Sequence, residues 1–588
     1  MSDDESDTFF DNGRNQYLDP EDMEYYSQVN LEKLKTLRDK VAVHIQEQRY
    51  EFFYELDALI RDWSGRLPNL RDVFRTDEIE RLLTASINCD DGGLNYDSID
   101  ERLIWFVART GYRNEPDVDD DGKPLLRRTT PIHHAARRGY NDVVRQLFKI
   151  YNRFDVNYID EFGYTHFHAA CETRRRDLVE GFLKVGQDPN LLVEKTGDSP
   201  LSLASKNEDQ EAFELLLRHG ANPNLANAQG LTLLHVLSKR SFGTDASRLV
   251  FKISEEIDQP LQIDVRDNLG NTPLHLALRR IKYNVAKLLL EKGADPNLTD
   301  ADGSTALHIC VSDFNDNFAK LIFEVSDERH RLVRVDARDK LGRTPLQLAV
   351  TTASPTMVDL LLDRGADLSA FTFPTESLFA EFLGTIRSSR GDYELEMSSE
   401  MLDVIERLEK RGYELVRSDA LTIMKTFGVY KLIDESEYLD SWHKNEDFVS
   451  KAKELMINPS LSLYDLIQLR PDTAKTLVRR EDYYEFASLH KSYELPAESS
   501  RVCVSHLYEK MWRGFFWRWA LDSFLELTRY QLPILCCEEI LEKLVNEDLL
   551  RICQAAEIIA DEQIQQLSYR SVDQGEDIKE FKNLNLNE

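Results

Sequence analysis

Seven histidines, His133, His134, His166, His168, His235, His275 and His308, are the side chains most suited to chemistry in this sequence, since a neutral imidazole can ligate a metal or move a proton near neutral pH. Their placement argues for another use. Most of them occupy, or lie beside, one slot of a returning phrase: TTPIHHA from Thr129, YTHFHAA from Tyr164, NTPLHLA from Asn271, STALHIC from Ser304 and RTPLQLA from Arg343, with the looser LTLLHVL around His235. No G-x-x-x-x-G-K-[ST], H-E-x-x-H or G-x-S-x-G phrase occurs, so phosphate loops, zincin sites and nucleophile elbows have no support. The chain reads as a non-enzyme with no cofactor and no metal. Vicinal Cys536 and Cys537 could form a redox pair, but they read as small buried apolar side chains.

The phrase has a measurable period. Thr130, Thr165, Ser199 and Thr232 succeed one another at steps of 35, 34 and 33 residues, and Thr272 to Thr305 is again 33. Thr232 to Thr272 at 40 and Thr305 to Thr344 at 39 read as loop insertions. Thr suits a helix N-cap and Pro the first helical position, so a helix is expected at each copy. A second helix comes next at FELLLRHG, AKLLLEKG and VDLLLDRG, ended by Gly220, Gly293 and Gly365, and Asp-x-x-Gly (Asp160, Asp267, Asp300, Asp339) turns the chain toward the next pair. The phrase resembles the ankyrin signature T-P-L-H-x-A. The resemblance implies an all-α solenoid of about seven units over 129–370, with histidines that bond neighbouring backbone. It also implies a protein client, held at turn tips such as Phe162, Tyr164, Leu269 and Asn271.

The formal net charge of −32 over 588 residues disfavours a nucleic-acid partner. The start MSDDESDTFF lacks an apolar leader, no apolar run is long enough for a membrane span, and seven cysteines form no C-x-x-C pair. The expectation is an intracellular protein, cytoplasmic or nuclear, with reduced thiols and no membrane partner.

Around the repeats the pattern divides the chain. Residues 1–30 read as a disordered acidic tail, 31–128 as a helical cap over the first repeat, 371–400 as a polar linker, 401–556 as a helical domain and 557–588 as a tail. MLDVIERLEKRGYEL, stopped by Gly412, echoes one more second helix. The aromatic run from Met511 to Trp519 reads as core rather than a membrane-surface helix.

Near the C-terminus, Leu532-Pro533 is followed by Ile540-Leu541, Leu544 and Asp548-Leu549. Pro533 can open a helix, Ile540, Leu541 and Leu544 would share one face, and Asp548 would cap a second helix. This skeleton, at 531–553, resembles the opening of an F-box, and in particular the shortened version in the PRANC domain of poxvirus and parasitoid-insect ankyrin proteins. LSLYDLIQLRPDTAKTLV (461–478) is similar to that domain's lead-in. A second Leu-Pro phrase at Leu67-Pro68 lacks the later residues of the skeleton. The resemblance implies that Leu532, Pro533, Ile540, Leu541, Leu544, Asp548 and Leu549 bind a Skp1-like adaptor and, through it, cullin-1. The chain would then be the substrate receptor of a ubiquitin ligase. Two readings stay open beside it: these helices are only core, or the stack is a sequestering inhibitor of the NF-κB-inhibitor type with no ligase role.

Overall fold

The computed structural model describes residues 19–44, 49–88, 99–206, 210–240, 243–386, 391–428, 446–488, 495 and 497–574. They form two compact units that meet in sequence at Ala301 and Asp302. The first begins with α1 (Pro20–His44), α2 (Arg49–Arg61), α3 (Thr76–Ile87) and α4 (Ile99–Arg109). Leu34, Phe53, Leu56, Ile79, Leu83 and Ile104 are buried in their common core. Asp57, also buried, accepts from Arg102 at 3.0 Å, so the burial of its charge is compensated. The acidic tail expected to run to residue 30 stops sooner. Asp19 accepts from the Glu21 and Asp22 amides, α1 starts at Pro20, and buried Asn30 donates to the Ser64 carbonyl at 3.0 Å. The expectation for residues 1–18 lies outside the described residues.

Five helix pairs come next: α5 (Pro131–Arg137) with α6 (Asn141–Ile150), α7 (His166–Cys171) with α8 (Arg176–Lys184), α9 (Pro200–Lys206) with α10 (Gln210–Arg218), α11 (Leu233–Ser238) with α12 (Gly243–Glu256), and α13 (Pro273–Arg279) with α14 (Tyr283–Glu291). First helices stack in a row from α5 to α13, and α3 and α4 sit on α5 and α6 as a pair of the same kind. The extra residues before Thr272 lengthen a helix rather than a loop. At 14 residues α12 is five longer than α10 or α14, and its Val250, Phe251, Ile253 and Ser254 are buried at helical spacing.

The second unit opens with α15 (Ala306–Ser312), α16 (Asp316–Glu328), α17 (Pro345–Thr351) and α18 (Pro355–Asp363). Its insertion too lies in a helix, the 13-residue α16. The expected linker at 371–400 is largely helical: α19 (Glu376–Ile386) packs on α17, and α20 (Gly391–Lys410) packs on α18. Together they complete an eighth pair, of which the sequence reading recognised only the second helix. Thr375 starts it, with its hydroxyl accepting from the Leu378 amide at 3.4 Å, but Thr-Glu-Ser-Leu replaces Thr-Pro-Leu-His. Then come α21 (Arg417–Ile423), continued by a π turn to Gly428, α22 (Glu446–Glu454), a two-stranded hairpin of β1 (Met456–Asn458) and β2 (Leu461–Ser462), and α23 (Leu463–Gln468), α24 (Pro471–Leu477) and α25 (Arg480–Ser488). The unit closes with α26 (Ala497–Leu527), α27 (Ile534–Leu541) and α28 (Asn546–Gln574). Both α27 and α28 lie on α26. Among the described residues the fold is thus mostly helical, with one short hairpin, and the tail expected from 557 is helix as far as Gln574.

The recurring histidine explains the stacking. Thr130, Thr165, Thr232, Thr272 and Thr305 are N-caps, and each backbone N–H donates to Nδ1 of the histidine three residues on, at 3.0–3.2 Å. Imidazole therefore does what Glu or Gln does in a capping box. With Nδ1 accepting, the proton sits on Nε2. Nε2 donates to a carbonyl ahead: His168 to Leu191 at 2.7 Å, His235 to Asn271, His275 to Leu298 and His308 to Arg343, each at 3.0 Å. Gln347 reproduces the pattern, accepting from the Thr344 amide and donating to the Thr372 carbonyl, both at 3.0 Å. Ser202 is too short, and its hydroxyl turns back to the Ser199 carbonyl. In the first pair His133 Nε2 is buried without a partner, while the Thr130 hydroxyl bonds His166 Nε2 at 2.7 Å.

Because Gln spans both bonds, His275→Gln should leave stability nearly unchanged. His275→Leu strands the Thr272 amide and the Leu298 carbonyl, at roughly 1–3 kcal/mol for each, and hydrogen exchange across 270–300 should reveal it. Equal protection in the two variants would refute the bridge. Burial also lowers the His168 and His275 pKa values from 6.5 to about 4. Unfolded chain binds more protons between those values, so the contribution is complete above pH 6.5 and is lost as pH falls toward 4, on the order of 3 kcal/mol per histidine at the acid limit. Between pH 7 and 5 the urea midpoint should fall, and fall less in His275→Gln.

Candidate protein-interaction surfaces

The fingertips are built from aspartate. Asp160 Oδ1 accepts from the Phe162 and Tyr164 amides, Asp267 Oδ1 from Leu269 and Asn271, and Asp339 Oδ1 from Leu341 and Arg343, all at 2.8–2.9 Å. The other oxygen is held by arginine where Arg137 reaches Asp160 at 2.7 Å and Arg279 reaches Asp300 at 2.6 Å. Consecutive tips are joined main chain to main chain. Lys195 N–H donates to the Phe162 carbonyl, Ala228 to Thr196, Asn268 to Gln229 and Ala301 to Leu269, at 2.9–3.1 Å, and Lys340 donates to Asp302 in the second unit. The chains approach so closely that a Cβ on Gly270 would lie 2.5 Å from the Ala301 nitrogen, and its φ of +75° already requires glycine.

This geometry sorts the expected client residues. Leu269, 68% exposed, can meet a partner. Phe162 is half-buried, its ring flanked by the Arg137 guanidinium at 4.7 Å and the Lys195 ammonium at 4.3 Å. Tyr164 is turned inward, its hydroxyl donating to Glu172 at 2.7 Å. Asn271, only 7% exposed, bonds Asp267 with its side chain and receives His235 on its carbonyl. Tyr164 and Asn271 are therefore framework, because the turn needs their backbone positions.

The C-terminal motif also forms differently from the expectation. Pro533 is the N-cap of α27, which ends at Leu541, so Leu544 lies beyond it and shares no continuous helical face with Ile540 and Leu541. Leu541 and Cys537 are fully buried on α26, while Leu544 is half-buried. Buried Arg513 of α26 donates to the Leu541 carbonyl at 2.8 Å and the Leu544 carbonyl at 2.6 Å, holding the last carbonyl of the helix and one in the turn beyond it. Asp548 is not an N-cap. The next helix starts at Asn546, whose amide donates to Glu509 of α26 at 2.9 Å, and Asp548 lies in its first turn. Leu549 and Leu550 are buried. What α27 exposes is Leu535, at 70%, with Leu532, Ile534, Cys536 and Ile540 around it. Ile534 and Leu535 were missed although they directly follow Leu-Pro, and Cys536 differs from the expected buried thiol.

The remaining candidates for chemistry are enclosed. His166 is buried among the rings of Phe148, Tyr151 and Tyr158, and His134 is half-buried beside Asn88. Trp512 and Phe516 of the aromatic run are core. Among the described residues no three metal-ligating side chains cluster, and no helix is long and apolar enough to cross a membrane.

The family of ankyrin repeats (3 copies) matches residues 99–193, 201–300 and 292–372. The first match starts at α4, inside the region read as a cap, in keeping with the pairing of α3 and α4 on α5 and α6. A putative ankyrin repeat protein of Rickettsia bellii is 28% identical over 41% of this chain and 65% of its own length. One of fowlpox virus is 29% identical over 29% and 49%. The nuclear factor NF-kappa-B p105 subunit of Gallus gallus is 31% identical over 66% of this chain and 33% of its own. The chain thus spans less than two thirds of each of these relatives. Ankyrin repeats are typically non-catalytic modules of protein–protein interaction, and this chain carries them.

Arg513→Met keeps much of the volume but leaves the Leu544 carbonyl unpaired and the Leu541 carbonyl with the Leu544 amide alone, which should cost the α27 region roughly 1–3 kcal/mol. Hydrogen exchange should rise at 534–545 and stay unchanged at 270–300.

Proposed function

We propose that the protein is a non-catalytic receptor that holds a protein client on its ankyrin repeats and docks a Skp1-like adaptor, and hence cullin-1, with the C-terminal F-box-like helices. The observation that carries this reading is the exposure of Leu532, Ile534, Leu535 and Ile540 on one short, well-anchored segment of a strongly acidic protein. Large aliphatic side chains grouped in this way mark an interaction site. Leu532 and Ile540 belong to the Leu-Pro…Ile-Leu skeleton and Ile534 and Leu535 lie within its span, and a putative ankyrin protein of fowlpox virus is among the similar proteins. The docking ridge is then the outer face of α27, with Leu541 and Leu549 as its support. Cytoplasm or nucleus is the matching location.

Likeness to the p105 subunit over two thirds of the chain favours a second reading. Here the repeats sequester a transcription factor and α27 serves another contact.

Purified Skp1 separates the two. Wild-type protein should bind it at micromolar concentration, and Leu535→Asp with Ile540→Asp should weaken binding at least thirtyfold, about 2 kcal/mol, with an unchanged circular dichroism spectrum. Leu541→Asp should instead unfold the helix. Folded wild-type protein that ignores Skp1 would remove the ligase reading and leave sequestration.

A further inference from the structure

The five pairs of the first unit are not joined equally. In the second and fifth, the slot histidine reaches a carbonyl 23 residues ahead, His168 to Leu191 and His275 to Leu298. The corresponding groups of the third pair are the Ser199 amide and the Leu225 carbonyl, and among the described residues no side chain bonds either. Ser202 holds the slot, and its hydroxyl donates back along its own chain to the Ser199 carbonyl at 2.8 Å. Ser205, one turn on, donates to the Ser202 carbonyl at 2.6 Å. Such bonds satisfy a hydroxyl without tying its helix to a neighbour.

The fourth pair supplies a second, independent observation. Its α12 packs on α10 and on α14, and the Ser247 and Ser254 hydroxyls on its buried face have no hydrogen-bond partner among the described residues. Burying an unpaired hydroxyl costs free energy that an alanine would not. The second helices of the neighbouring pairs, α8, α10 and α14, bury apolar side chains alone. Beyond apolar packing, the ties between the third and fourth pairs lie at the rim. Arg240 donates to the Lys206 carbonyl at 2.6 Å, and Asn224 bonds the Pro260 carbonyl at 3.0 Å and the Gln262 amide at 2.9 Å. Arg218 meets Glu256 at 3.1 Å, an exposed pair of the kind that contributes little.

We infer that the first unit contains a built-in soft joint between its third and fourth pairs, at which the array opens first and so acts as two arms. Its use, the adjustment of the array to what it holds, rests on the reading of the repeats as a client holder. In a solenoid each pair leans only on its neighbours, so a weak junction is not averaged over the stack, and opening concentrates there. The tips stay spliced across it, Ala228 to Thr196 and Asn268 to Gln229. The row of tips is therefore the line about which the arms part.

Hydrogen exchange of the full-length protein, read by mass spectrometry and corrected for intrinsic rates, tests the joint. Protection in the loop 221–231 should be at least about tenfold lower than in the corresponding loops 187–197 and 294–300. Ser202→Gln and Ser202→His, each long enough to span both groups, should remove most of that difference, whereas Ser202→Ala should leave it. Ser247→Ala with Ser254→Ala should raise protection over 244–257 at least about threefold and leave 187–197 unchanged. Equal protection in the three wild-type loops overturns the joint. So does a labile 221–231 loop that neither long variant protects while the circular dichroism spectrum is unchanged. If both long variants unfold, the wild-type comparison and the alanine pair decide alone. No client enters the measurement, so uniform protection removes the joint while the client-holder reading stands. A confirmed joint in a protein that captures no client removes that reading and leaves the joint.

Discussion

Everything the repeats display depends on a neutral imidazole with two bonds. Nδ1 closes the start of its own helix and Nε2 closes the loop ahead, so the same side chain that begins a unit also sets its distance to the next one. Protonation of the ring breaks the first of them, since a charged imidazole has no acceptor for the threonine amide, while Nε2 can still donate. Burial keeps it neutral. The requirement is for an acceptor and a donor at fixed separation rather than for histidine as such, which is why Gln347 serves in the same slot and Ser202 does not.

The C-terminal helices solve a related problem with a charge. A helix as short as α27 leaves most of its final carbonyls without partners inside the helix. Buried Arg513 takes the last of them, on Leu541, and the Leu544 carbonyl just beyond, while Cys537 and Leu541 fill the core. Anchoring from within leaves the opposite face free to be apolar. The fingertips show the same division, with Asp160, Asp267 and Asp339 fixing the turn from inside and Leu269 and Leu341 standing outside.

The ankyrin pairs were legible because their signals are local: a Thr cap, a Pro at the first position and a stop glycine each act within a few residues. The cap helices were legible as amphipathic segments. Where the pattern hid, the physics was nonlocal or substituted. α19 starts with a cap but no proline or histidine, and so read as linker. The long α12 carries Ser247 and Ser254 on its buried face and so read as loop. On α27, spacing gave Ile540 and Leu541 one face, yet which of them faces inward is decided by packing on α26, a separate element that the motif does not include. Asp548 suited a cap by residue type, but Glu509 held Asn546 first. Exposure, and hence the interaction surface, belongs to tertiary structure and leaves only a weak trace in sequence.

The fingertips are spliced through amides and carbonyls that every residue type except proline possesses in full. Side chains at Leu269 or Leu341 can therefore be exchanged without loosening the joints that carry them, provided the aspartate and glycine beside them remain. Holding is encoded in a few fixed places and reading in the rest. A lineage bearing such an array can wander in target choice one tip at a time, each step starting from a folded protein.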